Sequence, residues 1–138
     1  MRKWNLPITY EPKIQPVIAG TCRQTIRAVK EGSWKKEVGD LIRFYTWAGK
    51  PYHSKRTTIT EYVPLIEVLS VKIFIAGLEF PPFSSDKFSD DNFVVWHDLN
   101  DLAIRDGIVP PKGVVLRNVI LSKNKIPIGG QEAQILRW

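Results

Sequence analysis

Arg23, Thr25 and Arg27 occupy alternate positions just after a glycine, in the run Gly20-Thr21-Cys22-Arg23-Gln24-Thr25-Ile26-Arg27. Written as a strand, the run sends those three side chains to one face and Cys22, Gln24, Ile26 and Ala28 to the other. Two guanidinium groups around a hydroxyl make a face that reads anions. The same spacing also fits a solvated strand face after a helix-stop glycine. What surrounds the run bears on the choice.

The chain carries a formal net charge of +6, and that charge is uneven: residues 1–60 hold 12 Lys/Arg against four acids, a net +8, while residues 61–138 come to −2. A basic first half suits a polyanion such as a nucleic acid. Lys30, Lys35 and Lys36 extend the cationic set beyond Arg27, and Trp34, Phe44, Tyr45, Trp47 and Tyr52 are interleaved with it. Tyr45 and Tyr52 are the candidates for stacking on a base beside phosphate-binding cations. Phe44 and Tyr45, adjacent on a strand, also fit a simple alternation between core and surface.

Other chemistries find little support. One cysteine, Cys22, and two distant histidines, His53 and His97, are too few for a structural metal site, so no metal is expected. Neither histidine has a partner at triad or ligand spacing, and both are expected at the surface. Gly129-Gly130 lacks the lysine and helix start of a phosphate loop, and no cofactor is implied. Met1–Tyr10 has two charges and a proline but no apolar run, and no window approaches the about 20 apolar residues of a membrane helix. The expectation is a soluble cytoplasmic protein without membrane contact.

The elements that would position the basic face follow from punctuation and periodicity. Glu11–Ala19 reads as a short helix with Pro12 in its first turn and Gly20 as its stop, and Pro16 must kink or restart it. Gln24–Val29, Leu41–Trp47, Thr57–Val63 and Ile66–Ala76 read as strands. Val38-Gly39-Asp40 forms a turn, and the last of those strands, apolar on both faces, should be central. Residues 81–91 form an exposed acidic loop. Trp96, Leu99, Leu102 and Ala103 recur at helical spacing before Gly107, residues 114–122 fit either helix or strand, and Ala133–Trp138 is a closing strand. The sum is one α+β domain over residues 1–138: a small mixed β-barrel with two or three helices packed on it.

These landmarks resemble the ASCH domain, a relative of the PUA fold. The similarity rests on Gly20 followed by Arg23-Gln24-Thr25-Ile26-Arg27-Ala28, then Gly39-Asp40, Tyr45-Thr46, Leu102-Ala103-Ile104-Arg105-Asp106-Gly107 and Ile135-Leu136-Arg137-Trp138. They stand in the order found in phage-type members with a GxKRQTIRA motif. The resemblance implies a β-barrel whose cleft beside the glycine motif takes RNA or a modified nucleoside. Members that look like N4-acetylcytidine amidohydrolases combine the motif lysine with a threonine and a glutamate. Thr25 matches the threonine, but Cys22 stands where the lysine belongs, and the glutamate has no assignable counterpart. Arginine stays protonated and does not replace a general base.

The reading is therefore a nucleic-acid or modified-nucleoside binding module in which Arg23, Thr25, Arg27, Lys30, Lys35, Lys36, Tyr45 and Tyr52 contact the ligand. The alternative is an amidohydrolase acting on acylated cytidine, with Thr25 as its catalytic candidate. A third reading is an accessory protein, phage-encoded or of the host, whose acidic loop around Asp90 meets a protein partner.

Overall fold

The computed structural model describes residues 1–50, 53–83 and 92–138. Tyr52 and most of the expected acidic loop, residues 84–91, lie outside the described residues.

Nine strands and three helices are formed among the described residues: β1 (Lys3–Pro7), α1 (Ile14–Ala19), β2 (Gln24–Ala28), β3 (Leu41–Trp47), β4 (Arg56–Thr58), β5 (Val63–Pro64), β6 (Glu67–Ile73), β7 (Gly77–Glu79), β8 (Phe93–Val95), α2 (Asn100–Arg105), α3 (Gly113–Lys123) and β9 (Gln131–Arg137). They build two sheets. One has β3 at its centre, with β1 parallel to it and β4 and β5 antiparallel. The other runs β2-β9-β6-β7-β8, antiparallel throughout. The α+β class is as expected from sequence. The strands are divided between two sheets, and no closed barrel is detected among the described residues.

β9 joins the two halves of the core. Ala133, Gln134, Ile135 and Leu136 are all buried, because β9 is paired along both edges by β2 and β6 and packs apolar side chains into both core clusters. Ile135 packs with Val71, Leu102, Ala103, Leu116 and Ile120 under α2 and α3. Leu136, on the opposite face, packs with Leu6, Val17, Ile42, Phe44 and Leu65 toward the other sheet. Central placement holds for β6, the middle strand of its sheet.

Several elements differ from the sequence-based expectation. The helix expected over Glu11–Ala19 divides into a 3₁₀ turn at Glu11–Lys13 and α1, so Pro16 falls in the first turn of α1, where its missing N–H is not needed. The single strand expected over Thr57–Val63 is the two short strands β4 and β5. Residues 114–122 belong to α3: Leu116 and Ile120, one turn apart, both bury in the core, and this outweighs the β-branching of Val115 and Val119. β1, unrecognised from sequence, is carried by its parallel pairing to β3. Asp40 holds that strand's start. Burial alone would push its carboxyl up, but N–H groups of Glu37 and Arg2 and the indole of Trp4 donate to it and bring it below its usual range.

Candidate nucleotide-binding cleft

Gly20 caps α1 with φ of 76°, a left-handed conformation that suits glycine, and the chain turns from there into β2. β2 pairs only with β9 and is an edge strand. Along its free edge lies a cleft of about 1170 Å³, bounded by the Pro7–Tyr10 segment, β2 and the C-terminal end of α3. Because the cleft follows an edge, consecutive residues from Thr25 to Val29 all line it. Its apolar wall includes Ile8, Tyr10, Ile26, Ile108, Val119 and Ile120.

The charged wall converges from four segments. Arg27 on β2 donates from Nε to Thr25 Oγ1 (3.2 Å) and from Nη2 to the Pro7 carbonyl (2.7 Å). These bonds aim the guanidinium while leaving its other N–H groups for a ligand. Lys123 ends α3, where a cation is favoured by the helix dipole. Lys13, in the 3₁₀ turn, and Asp106, just after α2, form a buried ion pair at 3.2 Å. Among the described residues Arg27 and Lys123 have no salt-bridged carboxylate.

Crowding leaves its mark on each group. Burial lowers the Arg27 guanidinium to about 10, against the pull of Asp106 and Tyr45. Protein packed around Lys123 lowers it to about 8, and the nearby positive charges of Arg27 and Lys13 act in the same direction. Burial raises Asp106 despite Lys13. Its Oδ1 has no hydrogen-bond partner among the described residues. Gln24, close enough to favour the carboxylate, donates from its amide to the Leu102 carbonyl (3.3 Å).

Of the residues singled out from sequence, Thr25, Arg27 and Lys30 line the cleft. Arg23 does not. Regular strand begins only at Gln24, so Arg23 lies in the turn and folds back to donate to the Gly20 carbonyl (3.0 Å). Lys35 is salt-bridged to Glu132. Lys36 lies 4.5 Å from the centre of the Trp4 ring, and Gln134 both accepts from its N–H (3.1 Å) and donates to its carbonyl (2.9 Å). Phe44 and Tyr45 are both buried rather than alternating. The Tyr45 ring lies under the Arg56 guanidinium at 3.8 Å, so it is not an open stacking surface. His53 and His97 are exposed, as expected.

Lys13, Asp106 and Lys123 were not singled out from sequence, although helical spacing hints at the first two. Lys13 lies four residues before buried Val17, and Asp106 four after buried Leu102, which turns both inward. Lys13 also stands beside Cys22: a Cβ on Gly107 would lie 3.1 Å from Cys22 Sγ and 3.5 Å from Lys13 Cγ. Cys22 itself is buried, within 3.6 Å and 3.5 Å of the Gln24 and Arg105 carbonyls. Burial pushes its thiol up despite Lys13, so it is no thiolate nucleophile at neutral pH. Comparison with protein-family models, curated proteins and solved structures finds no match.

Proposed function

We propose that this chain binds a nucleotide unit, either from single-stranded RNA or as a modified nucleoside, in the cleft along β2. One observation carries the reading: the cleft sets an apolar wall of Ile8, Tyr10, Ile26, Val119 and Ile120 beside the cations Arg27 and Lys123, which have no salt-bridged carboxylate among the described residues. A nucleotide has the matching division, a flat base and an anionic backbone. The cleft's volume, about 1170 Å³, is ample for one nucleotide and its neighbours. The PUA-like barrel implied by the ASCH resemblance belongs to this proposal. Amide chemical-shift mapping with cytidine 5′-monophosphate and a short single-stranded RNA tests it. The expected shifts concentrate on Thr25–Val29 and the end of α3; shifts confined to other surfaces, or none, would refute the assignment.

A second reading, deacylation of a modified cytidine, draws on one observation: Lys13 lies in the cleft with Thr25 and Asp106. Its ammonium is held in the ion pair with Asp106, and a paired, protonated lysine is no general base. N4-acetylcytidine incubated with the protein is therefore expected to remain intact above background. Turnover that Lys13→Met abolishes would favour the enzyme.

A further inference from the structure

The charge of the cleft is more specific than a general affinity for RNA requires. Its wall contains the cations Lys13, Arg27, Lys30, Lys123 and Lys125 and the acids Glu31, Asp106 and Glu132. Asp106 is charge-paired with Lys13, and Glu132 with Lys35 from outside the cleft. Glu31 alone remains to offset Arg27, Lys30, Lys123 and Lys125. Arg27 is the inner member of that excess, steered inward by Thr25 and the Pro7 carbonyl, and the exposed Lys30, Lys123 and Lys125 stand around it at the rim. Arg27 and Lys123 line one cleft, and among the described residues neither has a salt-bridged carboxylate; like charges in one cleft repel, and a ligand that relieves the repulsion brings about two negative charges to one place.

A phosphodiester linkage brings one charge to each phosphate, whereas a terminal phosphomonoester carries nearly two at neutral pH. Resting on the proposed nucleotide-binding role of the same cleft, we infer that the site selects a terminal phosphate: a nucleoside monophosphate or the phosphorylated end of an RNA. Arg27 grips two of its oxygens and Lys123 closes on the third from the end of α3. The base lies against the Ile26, Val119 and Ile120 wall.

The pH dependence follows from the groups facing Lys123: Arg27 and Lys13 lower it, and Asp106 raises it. Lys30, Glu31, Lys125 and Glu132 complete the charged surround. Lys123 loses its proton near pH 8 in the free protein, and a phosphomonoester gains its second charge near pH ~6. Affinity is therefore highest between those values and falls on either side. Phosphate binding in turn raises the Lys123 pKa.

Calorimetric titration of the full chain tests this with cytidine, cytidine 5′-monophosphate, ribose 5-phosphate, and one RNA sequence with either a 5′-phosphate or a 5′-hydroxyl. The expected result is at least about tenfold tighter binding of the monophosphate than of cytidine, since a charge-assisted contact made by one ligand alone is worth about that factor or more. Lys123→Met should remove most of that ratio and flatten the loss of affinity above pH 8. Preference for the 5′-phosphorylated RNA over its hydroxyl counterpart would place the site at RNA ends. Monophosphate binding without that preference would assign it to free nucleotides. Equal binding of cytidine and its monophosphate would overturn the inference while leaving the nucleotide-binding role standing. Ribose 5-phosphate matching the monophosphate would keep the phosphate site but refute the role of the base, and failure of every probe to bind would refute both.

Discussion

Asp106→Ala is expected to destabilise the protein by about 3 to 5 kcal/mol, the usual consequence of removing one partner of a buried ion pair. The side chains of Lys13 and Asp106 are only 6% and 8% exposed, so the ammonium left behind has little water to replace the carboxylate. It must either remain charged in a poor dielectric or release its proton, and both are unfavourable. The loss belongs to the broken pair and not to the pair's net contribution, so Lys13→Met/Asp106→Leu, which removes both charges, should recover most of it. Because the two residues touch, their effects should be strongly non-additive. Denaturant melts of wild type, both single variants and the double variant measure this. Asp106→Ala within about 1 kcal/mol of wild type, the range of an ordinary surface substitution, would contradict it.

Positions whose role depends on local pattern were legible in the sequence. Alternation placed Thr25 and Arg27 on one face of β2, and the glycines at 20 and 107, both with positive φ, were read as helix stops. Arg23 escaped the same reasoning because alternation begins only with the strand at Gln24. Tyr45 is a stacking candidate from sequence because nothing in its own strand shows Arg56 of β4 arriving over its ring. Long-range pairing hid more. Lys13 and Asp106 lie far apart in the chain, and they meet only because α1 and α2 pack on the two core clusters that β9 joins. β1 was obscured by its charges and Pro7, which an edge strand with a single neighbour tolerates. The ASCH resemblance noted Asp106-Gly107 as a landmark without assigning the aspartate a role; the structure puts it in the cleft wall.

Arg27→Ala is expected to weaken single-stranded RNA binding by about 1 to 3 kcal/mol, the range for a charge-assisted contact to phosphate. Arg27 is the one sequence-predicted arginine that lines the cleft. Its hydrogen bonds to Thr25 Oγ1 and the Pro7 carbonyl order the side chain before any ligand arrives, so little entropy is lost on binding. Arg23→Ala, by contrast, removes a guanidinium turned back onto Gly20 and should change affinity little. The same comparison separates the cleft from the basic surface as a whole, since both variants lower the net charge equally. Anisotropy titrations of a short single-stranded RNA against wild type, Arg27→Ala and Arg23→Ala, each at several salt concentrations, test the central claim most directly. The account predicts affinity that falls with salt for wild type, a slope flatter by about one unit for Arg27→Ala, and an Arg23→Ala curve close to wild type; no binding by wild type at low salt, or Arg27→Ala indistinguishable from it, would contradict the account.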